Sequence, residues 1–408
     1  LNGLVTYETT HPPLGKVLIA AGVALFGMNP FGWRITGTVL GIIMVPVMYL
    51  FGKRLTENTP AAFLTCVLFT FDFMHFTQTR IATIDVYITF FVLLMYFFLY
   101  RYCQTGFYDT PLSKTFLPLG ACGICMGLGI ACKWTGVYAG MGLAVLFFAS
   151  LYRRYREYCY AKAAPTAESG GIKHSHILRV FFPYTLKTLG FCILFFVGIP
   201  ALIYLLSYLP FVNASGDGLF TRMLHNQTDM YRYHSTLDAS HPYSSFWYEW
   251  PIIKRPVWYY SSIVSGSYGQ GGLREGISAF GNPLVWWLGI PAFFYMLYLW
   301  AKKKDRTAAF LIIGYLAQYL PWFFVTRITF IYHYFPGTVF VALIIAYSVL
   351  QLKKILSAGN FLLLTVIYGA AVFGLFLLFY PVLSGQTVDA SYVDHWLRWF
   401  DGWVLTAP

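Results

Sequence analysis

Long apolar runs alternate with short polar breaks along most of the chain. A helix that crosses a bilayer needs about 20 predominantly apolar residues, and ten runs approach that length. We therefore predict an all-α polytopic membrane protein with about ten spans, at residues 30–51, 60–76, 86–100, 116–131, 136–151, 181–206, 283–300, 308–324, 331–350 and 361–383. Residues 14–28 are apolar but short, so we expect them to lie along the membrane interface or to re-enter it.

The polar stretches divide the chain into five segments. We predict an outer loop with an interfacial helix, a first membrane bundle with a basic cytoplasmic loop at 152–180, a large extracytoplasmic loop, a second membrane bundle and an extracytoplasmic tail, at residues 1–29, 30–207, 208–282, 283–383 and 384–408. In the first segment, Pro12 and Pro13 suit the first turn of a helix, which would then carry Lys16 in that turn. The chain starts at Leu1 within a polar segment, and we expect further sequence upstream.

Charge sets the predicted orientation. The chain is 58% hydrophobic and 11% charged, with a formal net charge of +12. In a soluble protein this balance would suggest nucleic acid, but here the cations fall between apolar spans. Cytoplasmic loops of membrane proteins carry an excess of Lys and Arg, and the ten spans place every dense cluster on one side, namely Lys53-Arg54, Arg101, Arg153–Arg156, Lys302–Arg306 and Lys353-Lys354. We predict a multi-pass protein of the cell membrane whose partner is the lipid bilayer and which binds no nucleic acid.

The other side receives few charges, and most of them stand at the ends of spans. They include Arg34, Arg80, Asp85, Lys133, Arg327 and His333, with His11 and Lys16 in the opening stretch. A single Lys or Arg at this depth is equally well explained by a long side chain that reaches the interface. Together, the four cations at the span ends, two histidines and at least one acid suit an anionic headgroup. A lipid-linked phosphate would keep its tail in the bilayer while arginines hold the phosphate.

Two aromatic stretches belong to the same side. In residues 327–336, helical spacing predicts that Arg327, Ile331 and Tyr334 share one helical face; the alternative is an aromatic belt at the outer end of the span. In the large loop, aromatic, histidine and acidic residues alternate, as is typical of sites for sugars or extended peptides. The alternative there is an interfacial cap over the bundle. The candidate acceptor-binding residues are His234, His241, Trp247, Glu249 and Trp250.

Several other chemistries lack their sequence patterns. The chain has no phosphate-binding Gly-rich loop, no His-Glu-x-x-His motif and no Gly-x-Ser-x-Gly elbow. Cys122 and Cys125 form a Cys-x-x-Cys pattern in a Gly-rich apolar run, where helix packing explains them better than redox or metal chemistry. No cofactor is identified, and a divalent cation stays an open alternative. No internal repeat is apparent, which disfavours an inverted-repeat transporter.

A series of short motifs resembles the protein O-mannosyltransferase family. In chain order they are residues 11–16 (His-Pro-Pro-Leu-Gly-Lys), 31–34 (Phe-Gly-Trp-Arg), 80–85 (Arg to Asp), 129–136 (Gly-Ile-Ala-Cys-Lys-Trp-Thr-Gly), 245–251 (Ser-Phe-Trp-Tyr-Glu-Trp-Pro), 281–283 (Gly-Asn-Pro) and 332–334 (Tyr-His-Tyr). The resemblance covers nearly the whole chain. It implies a GT-C type membrane glycosyltransferase that moves mannose, with inversion, from polyprenyl-phosphate-mannose to Ser or Thr hydroxyls of proteins crossing the membrane.

The resemblance also implies roles for individual residues. The family's catalytic Asp-Glu pair precedes the His-Pro-Pro-Leu-Gly-Lys motif, so we expect it upstream of Leu1 together with one apolar span; Glu8 does not match its position. Without that pair we expect the fragment to be inactive. Arg34 and Arg327, then Lys133 and Arg80, would stabilise the leaving phosphate. His333 and His11 would orient donor or acceptor, with Lys16 beside the donor, and Asp85 would hold Arg80 or act on the sugar.

Two other functions remain open from the sequence. One is a related GT-C transferase that passes the lipid-linked sugar to a lipid or glycan acceptor. The other, more remote, is a transporter, which would place its ionisable residues near the middle of the membrane.

Overall fold

The computed structural model describes residues 8–212, 218–264 and 272–406. Within these residues, nine helices are long and apolar enough to cross a membrane. This confirms the all-α polytopic prediction. The helices are α1 Leu14–Phe26, α2 Pro30–Thr56, α3 Thr59–Thr70, α4 Phe73–Gln78, α5 Asp85–Gln104, α6 Leu112–Cys132, α7 Gly136–Ala163, α8 His174–Ile193, α9 Ile199–Leu206, α10 Leu219–Thr236, α11 Pro283–Lys303, α12 Arg306–Tyr319, α13 Phe335–Gln351 and α14 Ala358–Ser384.

One predicted span is wrong. Residues 60–76 do not form a single spanning helix, because α3 has only 12 residues. The side chain of Asp72 accepts a hydrogen bond from Met74 N (3.1 Å) and so caps the new helix α4. An N-cap of this kind favours a helix start, and the apolar run is therefore divided in two.

The predicted cytoplasmic loop at 152–180 is also largely helical. Helix α7 continues to Ala163, and α8 begins at His174, so the connection shortens to residues 164–173. Arg154 explains the extension, because its side chain is buried and its guanidinium lies over the rings of Tyr102 (4.7 Å) and Phe107 (4.1 Å). The connection contains a small hairpin, β1 Glu168–Ser169 with β2 Ile172–Lys173.

The opening motif begins a helix as predicted. Helix α1 starts directly after Pro12 and Pro13, and Val17 N donates to Pro13 O (2.9 Å). Lys16 lies in its first turn. At 13 residues α1 is among the shorter apolar helices, as expected for residues 14–28.

The chain forms two compact units, which cut across the five predicted segments. The first comprises Leu1–Val17 and Phe91–Arg232, and the second comprises Leu18–Phe90 and Tyr233–Pro408. The first unit is a packed group of α6, α7, α8 and α9. Small residues let these helices approach closely: a Cβ on Gly123 would lie 2.2 Å from Phe195 O. Cys122 is fully buried in the same helix, α6.

The second unit contains α2, α3 and α11 to α14 together with a three-stranded sheet. Strand β3 (Val257–Ile263) pairs antiparallel with β4 (Leu273–Ala279), and β4 pairs antiparallel with the short β5 (Val388–Asp389). The tail therefore returns to the sheet, and Leu405 O accepts a hydrogen bond from Ser278 Oγ (2.9 Å).

A buried polar cluster joins the α3–α4 break to the start of α11. Asp72 Oδ1 accepts from Asn282 N (3.1 Å), and Asp72 Oδ2 accepts from Trp286 Nε1 (2.8 Å). Asn282 caps α11 and donates through Nδ2 to Phe71 O (3.1 Å). A Cβ on Gly281 would lie 1.9 Å from Trp286, which explains the glycine of the Gly-Asn-Pro motif. This cluster fixes the segment that carries Arg80.

Candidate functional site

In the second unit, two arginines lie near each other at the ends of helices. Arg34 is exposed in the second turn of α2. Arg80 follows α4, donates to Leu383 O (3.3 Å) and Ser384 O (3.4 Å), and lies 4.5 Å from the centroid of the Phe76 ring. Hydrogen bonds between α2 and the α4–α5 connection, such as Thr38 Oγ1 to Thr79 O (2.9 Å), hold the two segments together.

The positive charges of Arg34 and Arg80 repel each other. Burial lowers the pKa of Arg80, the phenol of Tyr380 opposes that effect, and the positive charge of Arg34 lowers the pKa further. In the part of the chain that the structure describes, no carboxylate contacts either guanidinium. Asp85, which the sequence offered as a partner that holds Arg80, is therefore not in contact with it. Arg80 donates to the last carbonyls of α14, where a helix favours a cation, and in the described residues no carboxylate neutralises either arginine.

Asp85 instead belongs to a second polar group. It is the first residue of α5, is buried, and interacts electrostatically with Tyr259 on β3 and with Tyr332. Gln78 Nε2 donates to the Tyr259 hydroxyl (2.8 Å), and Thr83 Oγ1 donates to Gln78 Oε1 (2.8 Å). Carboxylate, amide and phenol groups thus meet in one place.

Arg327 adds a third cation, but not as the spacing predicted. The segment before Ile331 is not helical; a short 3-10 turn, Ile331–Tyr334, leads into α13. The prediction that Arg327 shares a helical face with Ile331 and Tyr334 is therefore wrong. Arg327 nevertheless interacts electrostatically with Tyr332, the same phenol that interacts with Asp85. Arg327 and Asp85 therefore both lie in the neighbourhood of Tyr332.

His333 is buried inside an aromatic group. Phe330 N donates to His333 Nδ1 (3.1 Å), and the imidazole stacks with Trp250 (6.0 Å between centroids, 19° between planes) and contacts Trp322 (4.5 Å). These contacts give His333 a role in supporting the 3-10 turn.

The large-loop segment 241–250 packs directly on the Arg327 segment. Ser245 N donates to Thr329 O (3.0 Å), and Thr329 Oγ1 donates to Ser245 O (2.7 Å). The ring of His241 contacts Phe330, with centroids 5.3 Å apart. Tyr319 donates to Trp247 O (3.1 Å). Segment 241–250, which was predicted to bind the acceptor, is therefore a neighbour of the Arg327 segment, which was predicted to bind the donor.

Two of the predicted acceptor residues have internal partners. Trp250 is fully buried, and Glu249 accepts from Phe246 N (2.9 Å) while it pairs with Lys254. Their contacts match the alternative interpretation, a cap folded over the bundle. His234 lies in the last turn of α10, with its ring 5.2 Å from that of Tyr233.

The remaining predicted residues belong to the first unit. Lys16 Nζ lies 2.6 Å from a carboxylate oxygen of Glu8 and donates to His11 O (3.0 Å). Burial alone would raise the pKa of Glu8, but the hydrogen bond and charge of Lys16, with hydrogen bonds from Thr10, hold it below its usual value. Lys133 is only 5% exposed and follows the end of α6.

A hydrogen-bond chain fixes the opening stretch within the first unit. Asn226 Nδ2 donates to Thr9 O (2.8 Å), and Asn226 Oδ1 accepts from the Tyr208 hydroxyl (2.8 Å). Asn226 is the acceptor position of an Asn-x-Thr glycosylation pattern, but it is buried and both ends of its amide are engaged. Trp134, beside Lys133, donates to the Tyr204 hydroxyl (3.1 Å), which donates to Gln227.

Sequence reasoning missed three residues of this region. Asp72 was hidden inside an apolar run, where a lone acid is itself a signal. Gln78 and Tyr259 gave no local pattern, because they become neighbours only when β3 reaches the α4–α5 connection. Among the described residues, no group of three or more His, Cys, Asp or Glu side chains could hold a metal ion.

Comparisons with known proteins identify the family of the chain. The family model described as dolichyl-phosphate-mannose-protein mannosyltransferase matches residues 25–213, and the model of the C-terminal four-span region of protein-O-mannosyltransferase matches residues 219–403. The polyprenol-phosphate-mannose–protein mannosyltransferase of Mycolicibacterium smegmatis is 27% identical, with 93% of this chain and 79% of that protein covered. The protein of the same name from Corynebacterium glutamicum is 25% identical, with 96% and 81% covered.

Solved structures share the fold. The S. cerevisiae protein O-mannosyltransferase Pmt1-Pmt2 complex matches with a TM-score of 0.75 at 13% identity, over 98% of this chain and 87% of that chain. ArnT from Cupriavidus metallidurans matches with a TM-score of 0.54 at 15% identity, over 92% and 55%. Since the two family models together match nearly all of the sequence, and the fold is that of these membrane glycosyltransferases, the chain belongs to the protein O-mannosyltransferase family.

Proposed function

We propose that the protein transfers mannose from polyprenyl-phosphate-mannose to Ser or Thr hydroxyls of secreted or translocating proteins, with inversion at the sugar carbon. The single observation that carries this proposal is the cation group of the second unit, in which Arg34 and Arg80 lie near each other with no carboxylate in contact and Arg327 lies in the neighbourhood of Tyr332. These residues stand at the ends of membrane helices, where a lipid-linked phosphate can reach them.

The arginines suit the leaving phosphate. When the sugar–phosphate bond breaks, the bonding electrons go to the phosphate oxygen, and the added charge must be stabilised. Guanidinium groups bind phosphate through paired N–H donors and stay protonated at neutral pH. A bound phosphate would relieve the repulsion between Arg34 and Arg80. An anion with more than one negative charge should therefore bind this pair most strongly.

The polar group around Asp85 suits the sugar. A mannosyl residue presents several hydroxyl groups, each of which donates and accepts hydrogen bonds. Asp85, Gln78 and Tyr259 offer carboxylate, amide and phenol partners in one place. We infer that Asp85 acts on the sugar, the second of the two roles that the sequence allowed it.

The segment 241–250 would receive the acceptor. It lies against Thr329 and Phe330, next to Arg327. We infer that His241, Trp247 and His234 face the acceptor, while Glu249 and Trp250 act indirectly by holding the segment in place. We further infer that the reaction takes place on the extracytoplasmic side, since Arg34 and Lys53-Arg54 lie at opposite ends of α2, and Arg327 and Lys353-Lys354 lie at opposite ends of the span at 331–354.

The roles of His11, Lys16 and Lys133 on the donor stay predictions, as does the role of the family's Asp-Glu pair. The acceptor hydroxyl needs a carboxylate to remove its proton, and the resemblance assigns that task to the pair. His333 would act through the 3-10 turn that it supports, by holding Tyr332 in position.

The full-length protein in proteoliposomes tests the proposal. It is supplied with labelled polyprenyl-phosphate-mannose and a Ser/Thr-rich peptide, and transfer of label to the peptide is expected. Transfer to a lipid or glycan instead would favour the related transferase, and movement of intact donor across the bilayer without transfer would favour a transporter.

Arg327→Ala tests the phosphate role. Loss of a hydrogen bond to a charged group costs about 1.5–3 kcal/mol, so donor affinity should fall by roughly 10- to 150-fold. Lys353→Ala, an exposed cation at the opposite end of its span, is the control and should leave affinity unchanged. Unchanged donor affinity in Arg327→Ala would contradict the assignment.

A further inference from the structure

Strand β3 is an edge strand whose one protective feature is a β-bulge. It spans seven residues, Val257–Ile263, and within the described residues it pairs only with β4. Its sequence, Val-Trp-Tyr-Tyr-Ser-Ser-Ile, contains no charge and no proline. Natural proteins protect edges with charges, proline or short strands, because unpaired backbone groups recruit other chains. An edge of this length and composition is suited to pairing with another strand.

A β-bulge connects this edge to the candidate site. Trp258 pairs with Ser278 and Tyr260 with Ile277, so Tyr259 is the extra residue. Bulges redirect side chains next to active sites. Here the phenol of Tyr259 accepts a hydrogen bond from Gln78 (2.8 Å) and interacts electrostatically with Asp85 and Tyr332. Any chain paired with β3 therefore runs past this polar group at a fixed register.

A neighbouring side chain has an unused donor. The indole Nε1 of Trp258 is buried and has no hydrogen-bond partner among the described residues. The ring contacts Tyr243 of the large-loop segment, with centroids 5.3 Å apart. A buried donor without a partner is costly, so an unsatisfied N–H stands next to Tyr259 in the strand.

We propose that an extended segment of the acceptor polypeptide adds to β3 as a further strand, which carries its Ser or Thr past Tyr259 toward Asp85. This inference rests on the proposed function, because it requires a polypeptide acceptor. Strand addition binds through main-chain hydrogen bonds and leaves alternate side chains to be selected. It would therefore hold the acceptor by its backbone and leave the sequence around the modified hydroxyl free to vary.

An acceptor peptide with single N-methyl groups tests strand addition without altering the enzyme. In a strand, alternate N–H groups point toward one neighbour. Each peptide carries one N-methyl group. At the alternate positions whose N–H faces β3, that group should raise the peptide KM between about twofold and tenfold, the effect of one lost backbone hydrogen bond. N-methylation at the intervening positions should leave KM unchanged.

Two proline variants provide a matched pair on the enzyme. Ser261 and Ser262 are consecutive in β3, so the N–H of one faces β4 and that of the other faces away. Of Ser261→Pro and Ser262→Pro, the variant that loses the N–H facing β4 should have a lower melting temperature than the wild type. The variant that loses the N–H facing away from β4 should have the melting temperature and donor affinity of the wild type. Its KM for the peptide should be about twofold to tenfold higher.

The outcomes separate the two proposals. Suppose that mannose is transferred to the peptides, that their KM does not alternate with the position of the N-methyl group, and that the peptide KM is equal in both proline variants. This result would overturn strand addition and leave the proposed function intact. Absence of transfer to any peptide would overturn both. The variant Ser262→Cys tests for a second copy of this chain. If it forms disulfide-linked dimers and the peptide suppresses their formation, a second copy occupies the edge instead.

Discussion

The buried contacts of Asp72 make a sharp prediction about stability. In Asp72→Asn, one carboxylate oxygen becomes an amide NH2. Asp72 Oδ1 accepts from two backbone N–H groups, of Met74 and Asn282, and Oδ2 accepts from the indole of Trp286. The least costly orientation of the asparagine keeps its oxygen on the backbone donors. The NH2 then faces the indole N–H, so one hydrogen bond is lost and two donors oppose each other.

The cost can be estimated from this geometry. A buried donor left without an acceptor costs about 1–3 kcal/mol. For a domain of 150–250 residues, each kcal/mol shifts the melting temperature by about 2–4 °C, so a decrease of about 2–12 °C is expected. Thermal unfolding in detergent, followed with a thiol-reactive dye on the buried cysteines, measures it. Asp394→Asn, at an exposed position, is the control.

A double-mutant cycle tests the assigned cause. Trp286→Phe removes the opposing donor, so Asp72→Asn should cost about 1 kcal/mol less in that background than in the wild type. Equal costs in both backgrounds would refute the reasoning, as would a melting temperature for Asp72→Asn that matches that of Asp394→Asn.

Three further predictions follow from single contacts. Gly281→Ala should lower the free energy of unfolding by about 1–3 kcal/mol, because its Cβ would lie 1.9 Å from Trp286. The same dye assay should show no loss for Gly359→Ala, where nothing lies within 4 Å. Tyr259→Phe should lower kcat/KM up to about tenfold through loss of the bond to Gln78, whereas Tyr260→Phe should not; equal values in a transfer assay would argue against the Tyr259 site. Glu8→Gln should lower stability by about 0.2–1 kcal/mol at pH 7. Since the pKa of Glu8 is depressed in the folded protein, that difference should be fully present above about pH 4.5, its ordinary value, and disappear as pH falls through the lower folded pKa. Melting curves of both proteins from pH 7 to pH 3 would show it, and a constant difference would contradict the ion-pair assignment.

The spans could be predicted from the sequence because their cause is local. The length of an apolar run decides whether a helix can cross a bilayer, and caps such as Asn29 before Pro30 start the helix where the polar break ends. The same local logic failed at Asp72. Its acid is tolerated in an apolar run only because Asn282 and Trp286 reach it from a distant part of the chain.

The candidate site could be predicted only in part. Arg34, Arg80 and Arg327 are candidates from the sequence alone, since cations at span ends are conspicuous in an apolar chain. Their neighbours are not. Tyr332, in the neighbourhood of both Arg327 and Asp85, lies in a 3-10 turn and not on the expected helical face.

By itself, the sequence determined the membrane class, the helical spans and the family, because hydropathy, caps and ordered motifs are properties of neighbouring residues. Only the tertiary structure decided which charges meet without an acid, that Glu249 and Trp250 are held inside the cap, and that the Tyr259 bulge brings β3 to Gln78. Those outcomes depend on pairings between residues far apart in the chain, and the energy of a buried polar contact depends on its partner.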